Sequence, residues 1–80
     1  MLVAMRQYLV VYEKSSNGWG AYVPDLPGLG VVGDTLEEVQ QLIREWIELH
    51  LTAMKEHGEP IPEPAAKADY LATDAASLSE

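Results

Sequence analysis

Apolar residues occupy both alternating sets of positions from Gln7 to Lys14, and many of them are β-branched or aromatic. This pattern predicts an interior β-strand, because both faces of the segment would be covered. Ser-Ser-Asn-Gly follows at positions 15–18, and an Asn-Gly pair supplies the positive φ angles of a tight hairpin turn. Trp19 to Val23 should therefore return antiparallel to the first strand.

A sharp corner is predicted after the hairpin. Pro24 has no amide hydrogen and ends the strand ladder, and Asp-Leu-Pro-Gly at positions 25–28 has the composition of a turn. The segment from Leu29 to Gly33 can then form a third short strand. The first part of the chain thus predicts a three-stranded antiparallel sheet.

One long helix is predicted next. Thr35 has the chemistry of an N-cap, and Glu38 stands three positions later to complete a capping box. The apolar stripe of this segment follows helical spacing through Leu36, Val39, Ile43, Trp46, Ile47, His50 and Met54. The helix should end near His57, with Gly58 just beyond it, after about 22 residues and roughly 33 Å.

The segment after the helix has a different composition. Prolines at positions 60, 62 and 64 prevent the helix from continuing, and residues 65–80 contain few large apolar side chains. Tyr70 and Leu71 could add a fourth, edge strand to the sheet, whereas the alanines around them would equally suit a weak helix. The sequence predicts an α+β fold in one domain, residues 1–64, followed by a tail that is an edge strand or disordered.

The composition favours self-association. A chain of 80 residues holds one domain with a small core, and it contains no cysteine and no pattern of metal ligands to reinforce it. The apolar content of 48% is high for this length, which indicates that apolar surface is buried between subunits in a dimer or a larger homo-oligomer. The predicted oligomer interface is the side of the helix that one small sheet would leave uncovered: Leu42, Trp46, Leu49 and Ala53. For Trp46 itself, the match to the apolar stripe favours packing in the core, with the interface as the alternative.

The charge of the chain limits the kinds of partner. Thirteen acidic residues oppose five basic ones, giving a net charge of −8, and this balance disfavours direct binding to nucleic acid. A basic protein is the natural complement. No apolar run approaches the ~20 residues of a membrane span, and Arg6 follows the opening apolar residues too soon for a signal peptide. We therefore expect a cytoplasmic protein that does not enter a membrane.

Candidate catalytic groups are few. Glu13, Asp25 and Asp34 are the acids that a metal-dependent nuclease could use, but the predicted elements place them at different strand ends. His50 and His57 are seven residues apart on one helix, about 10 Å along its axis, so one metal ion could not bind both. We expect no catalytic residue, no metal and no cofactor.

Three spaced motifs carry a resemblance to a known family. They are Pro-Asp-Leu-Pro-Gly at positions 24–28, Gly-Asp-Thr-Leu-Glu-Glu at 33–38 and Gly-Glu-Pro-Ile-Pro-Glu-Pro at 58–64. In this order the chain resembles the HicB antitoxin family over about Met5 to Pro64. The resemblance implies a partial ribonuclease-H-like fold and an antitoxin that neutralises a small basic ribonuclease, the HicA toxin. Many members add a C-terminal DNA-binding domain, and from the sixteen residues after Pro64 we expect none here.

The resemblance and the charge pattern together suggest where a toxin would bind. The corner could present Asp25 and Leu26 to a partner, although it could equally serve only to turn the chain. The helix carries four further candidates, Glu37, Glu38, Glu45 and Glu48, whose ordinary interpretation is a solvated face. The competing hypothesis is an orphan homo-oligomeric protein that keeps the fold but has no toxin partner.

Overall fold

The computed structural model describes residues 6–74 and contains four regular elements. They are β1 (Val11–Ser15), β2 (Gly18–Tyr22), β3 (Gly30–Gly33) and α1 (Leu36–Glu56). The strands form an antiparallel sheet in the order β1-β2-β3, and α1 packs across β2 and β3 on one face of it. The predicted α+β fold is confirmed, while its ribonuclease-H-like character stays a prediction.

The hairpin forms where the sequence predicts it, but with a different turn. Ser15 pairs with Gly18, so the loop consists of Ser16 and Asn17, and neither of these residues has a positive φ angle. The predicted positive φ at Asn17 is therefore wrong, whereas Gly18 has a φ of 159°. Gly18 serves another purpose, because a Cβ atom at this position would lie 2.5 Å from the carbonyl oxygen of Gly33. The missing side chain lets two stretches of backbone approach each other.

The first strand lies at an edge of the sheet, and the prediction of an interior strand is wrong. It also begins at Val11 rather than at Gln7. Tyr8, Val10 and Tyr12 are half-buried against the core, and the intervening residues are partly covered on the opposite side. Alternation reports which faces of a strand are covered, and it carries no information on whether both hydrogen-bonding edges are paired.

The corner between β2 and β3 is built around a buried side chain. The amide of Leu26 donates a hydrogen bond to the carbonyl oxygen of Val23 at 3.0 Å. The amide of Leu29 donates one to the carbonyl oxygen of Leu26 at 3.2 Å. Leu26 is 0% exposed. The core consists of Ala21, Val23, Leu26, Leu29, Val39 and Ile43. The two successive turns thus fold the corner inward, with Leu26 packed among core residues of the sheet and the helix.

The helix has the ends that the sequence predicts. The Thr35 hydroxyl accepts a hydrogen bond from the amide of Glu38 at 3.1 Å, and the Glu38 carboxylate accepts one from the amide of Asp34 at 2.8 Å. At the other end His57 is the C-cap, and Gly58 adopts a φ of 71° that a residue with a side chain rarely takes. The observed 21 residues agree with the expected length.

The segment after the helix contains no regular element as far as residue 74. Neither the fourth edge strand nor the weak helix considered for the tail is present in residues 65–74, and positions 75–80 lie outside the described residues. The domain boundary at residue 64 stays a prediction. Across residues 6–74, no helix has both the length and the apolar character needed to cross a membrane.

Candidate protein-interaction surface

The solvent side of α1 presents an acidic face. Glu37, Glu45 and Glu48 are exposed and lie on one side of the helix, because their spacing approximates whole helical turns. Shallow depressions run between them, lined also by the polar side chains Gln40, Gln41, Arg44 and Thr52. We define Glu37, Glu45 and Glu48 as the acidic face. It is a polar surface that a partner can reach without any rearrangement.

Glu38 differs from the other three predicted acids of the helix. Its side-chain oxygen is held by the amide of Asp34, so the carboxylate is part of the helix cap although the residue is exposed. Its charge still adds to the negative potential at the start of α1, where it also suits the positive end of the helix dipole. Replacing Glu38 would therefore disturb the helix as well as any partner contact.

The corner holds the chain's own C-terminal segment. One carboxylate oxygen of Asp25 accepts hydrogen bonds from the amides of Ala65 and Ala66, both at 3.0 Å. Leu26 next to it is fully buried, so its side chain does not fit the predicted role in partner contact. The sequence placed Asp25 in a turn. It could not predict the hydrogen bond with Ala65, because the two residues are 40 positions apart and no local pattern connects them.

The same C-terminal segment is held at a second point by residues that precede β1. Arg6 donates to the carbonyls of Ile61 and Pro62 at 3.4 and 3.3 Å, and it forms an ion pair with Glu63 at 3.2 Å. The hydroxyl of Tyr8 donates to the carbonyl of Pro62. We call residues 61–66 the strap. Its prolines were a usable signal, because proline keeps the chain extended and leaves carbonyl oxygens free to accept.

An apolar stripe flanks the core on one side of α1. Trp46 is 49% exposed and Leu49 is 60% exposed, while Leu42 is half-buried and Ala53 is exposed. These four residues, which we call the flank stripe, are the predicted oligomer interface. Core packing does not account for Trp46, and it is Trp19 that packs against the core. The helical spacing predicts the stripe itself, but the small sheet decides which part of it is covered.

A groove separates β1 from the other side of α1. Because the helix crosses β2 and β3, the inner side of β1 is left partly open. The apolar side chains along the groove are Tyr8, Val10, Tyr12, Ile43, Ile47 and Leu51. Arg6, Arg44 and Glu48 line it as well. The sequence did not predict this groove, since it depends on where the helix crosses the sheet.

The candidate catalytic residues do not form a metal-binding group. Among residues 6–74 there is no cluster of three potential ligands, so Glu13, Asp25 and Asp34 do not converge in this way. Nδ1 of His57 lies 2.7 Å from the carbonyl oxygen of Ala53, which places the imidazole in the helix cap. His50 is half-buried on α1. The side chains of Asp25 and His57 thus have structural positions, and the acidic face and the flank stripe are the candidate surfaces.

Comparisons with known proteins match most of the chain. Residues 8–76 match a family model described as the HicB-like antitoxin of bacterial toxin–antitoxin systems. An uncharacterized 14.9 kDa protein from the rep-hol intergenic region of Haemophilus phage HP1 is 34% identical over 64 residues, which cover 80% of this chain and 48% of the phage protein. The chain thus spans about half the length of that relative.

Two bacterial relatives are closer to this chain in length. A UPF0150 protein of Synechocystis is 39% identical over 56 residues, covering 69% of this chain and 71% of the relative. A UPF0150 protein of Thermotoga maritima is 34% identical over 53 residues, which cover 66% of this chain and 67% of the relative. No solved structure matches the chain significantly.

Proposed function

The chain belongs to the HicB-like antitoxin family of bacterial toxin–antitoxin systems, and from this membership we propose that it binds and neutralises a small, basic, HicA-like toxin that degrades mRNA. The family supports an antitoxin-type function, implies a toxin as the kind of partner and suggests a role without catalysis. The observation that carries the proposal is the exposed acidic face of α1. A basic nuclease needs a positive surface to bind RNA, and the acidic face is complementary to such a surface.

The charge distribution supports this mode of inhibition. Residues 34–63 contain eight acidic and two basic side chains, so most of the net charge of −8 lies along α1 and the segment that follows it. Such a concentration of one sign attracts a basic protein before contact and accelerates its association. Once bound, the helix would occupy the positions of RNA phosphates and exclude the substrate from the toxin.

Reversing the charge of the acidic face tests the proposal. The variant Glu37→Lys/Glu45→Lys/Glu48→Lys leaves the Glu38 cap intact, and its affinity for the co-expressed toxin should fall at least about a hundredfold, mainly through slower association. The matched control, Glu13→Lys/Glu56→Lys/Glu59→Lys, makes the same change in charge at exposed acids outside the acidic face. Binding is measured by titration calorimetry and by surface plasmon resonance. Equal losses in the two variants would contradict a specific role for the acidic face.

The flank stripe favours a second candidate function. A homo-oligomeric protein of the same fold, without any toxin partner, would bury Trp46 and Leu49 between copies. The variant Trp46→Glu/Leu49→Glu should then become monomeric at concentrations where the parent chain sediments as a dimer or larger species. Purification of the native chain separates the two candidates, because a stoichiometric small basic protein accompanies an antitoxin and is missing from an orphan oligomer.

A further inference from the structure

The edge of the sheet at β1 is open to another strand. On this side of β1 no described residue forms a strand partner, so backbone donors and acceptors face outward. The groove next to this edge is floored by apolar side chains of β1 and α1, including Tyr12, Ile47 and Leu51. An extended segment could therefore pair with the edge and place every second side chain in the groove.

The chain itself contains a segment with suitable chemistry. Residues 67–74, which we call the arm, form neither helix nor strand, and Tyr70 is 100% exposed while Leu71 is 80% exposed. In an extended arm Tyr70 and its neighbours Ala68 and Ala72 would face one side, and Leu71 would face the other. The first side suits the groove, where a large aromatic ring has apolar neighbours.

The charges of the arm and the groove also agree. The arm carries one basic and two acidic residues, and the groove is lined by Arg44, by Glu48 and by Arg6, which is already paired with Glu63 of the strap. Arg44 forms no ion pair within residues 6–74. The outer side of the sheet offers Val11 as a half-buried apolar neighbour for Leu71. Both faces of a paired arm would thus meet compatible surfaces.

The arm does not fill the groove of its own chain. The strap ends at the corner between β2 and β3, where Asp25 holds the amides of Ala65 and Ala66, and the arm begins there. Beyond this point no residue as far as 74 pairs with β1, and the Tyr70 side chain is 100% exposed. The groove and the arm of one molecule are therefore both accessible to a second molecule.

We propose that two copies of this chain exchange arms, so that residues 67–74 of each copy add a strand to the β1 edge of the other and place Tyr70 in its groove. The exchange is reciprocal and closes a twofold dimer. After the first arm binds, the second contact becomes intramolecular, which strengthens the pair without further surface. This contact lies on the opposite side of α1 from the flank stripe and does not require a toxin.

Paramagnetic relaxation in a mixed sample tests the exchange. The chain has no cysteine, so Thr73→Cys provides a single site for a nitroxide label. Nitroxide-carrying chains without ¹⁵N are mixed with ¹⁵N-labelled parent chains that carry no nitroxide. Any broadening of the ¹⁵N-labelled amide signals must then come from another molecule. We expect broadening of the amides of residues 8–12, and its disappearance when the nitroxide is reduced with ascorbate.

A second variant measures the contribution of the arm. Because Tyr70 and Leu71 are exposed in the isolated chain, Tyr70→Ser/Leu71→Ser should fold normally by circular dichroism. Its dimer dissociation constant in sedimentation equilibrium should rise at least about tenfold. A monomeric parent chain would overturn the proposal, as would broadening confined to the flank stripe. Two further outcomes would also overturn it. The amide signals of residues 8–12 could broaden only when the nitroxide and the ¹⁵N label are on the same chain, or only after a toxin is added.

Discussion

Gly18 is a single residue on which the geometry of the sheet depends. A methyl group at this position would meet the carbonyl oxygen of Gly33 at 2.5 Å, and this oxygen belongs to the backbone and cannot rotate away. Gly18→Ala should therefore lower the free energy of unfolding by about 1–3 kcal/mol, as measured by urea denaturation. Gly20→Ala is the control, because its Cβ would have an ordinary contact of 3.6 Å. Equal stability of the two variants would contradict this explanation.

Asp25 is a second residue whose effect can be isolated. Asp25→Ala removes the acceptor for the amides of Ala65 and Ala66, so both amides should exchange hydrogen faster while the sheet amides keep their protection. The stability should fall by about 1 kcal/mol, because the lost hydrogen bonds lie near the surface. Asp25→Asn keeps a carbonyl acceptor and should show a smaller effect. Unchanged exchange at the two amides in Asp25→Ala would show that the strap is held without this carboxylate.

Residue roles were predictable from the sequence where the partners are close along the chain. Thr35 and Glu38 stand three positions apart, and their capping box was predicted with the correct residues. Asp25 and Ala65 are 40 positions apart, and no local pattern connects them. The same limit applies to Gly18, for which the sequence predicted a turn function. Its close approach to Gly33 depends on how the strands pair, which no local pattern shows.

At the scale of elements, the helix cap is the clearest local determinant. Thr35→Ala removes the side-chain acceptor for the Glu38 amide and should cost about 1 kcal/mol of stability in thermal and urea unfolding. Thr52→Ala, at an exposed position toward the C-terminal end of α1, is the matched control and should be neutral or slightly stabilising because alanine favours the helix. A loss in the control as large as that in Thr35→Ala would rule out the capping explanation.

The elements themselves were largely predictable, whereas their mutual arrangement was not. Helical spacing and end signals placed α1 within about one residue of its observed ends, and apolar composition together with turn signals identified all three strands. Alternation could not show that β1 lies at an edge, since the pattern depends on faces. Nor could the helix periodicity show that Trp46 lies outside the core, because that depends on how many strands lie beneath α1.

At the scale of the whole molecule, charge governs the proposed encounter with a toxin. The net charge of −8 acts over several ångströms and is screened by salt, so the association rate should fall at least about tenfold between 50 and 500 mM NaCl. The dissociation rate should change much less. Stopped-flow fluorescence can measure both rates, and the acidic-face variant should show a weaker salt dependence. An association rate that does not respond to salt would contradict electrostatic attraction.

The strap also joins the two ends of the folded body. Arg6 touches Glu63 across 57 positions of sequence, so the chain enters and leaves the domain at neighbouring points. A short peptide linker could connect these points, and new termini could be opened at the exposed turn of Ser16 and Asn17. The domain is thus suited to circular permutation and to insertion into a loop of a host protein.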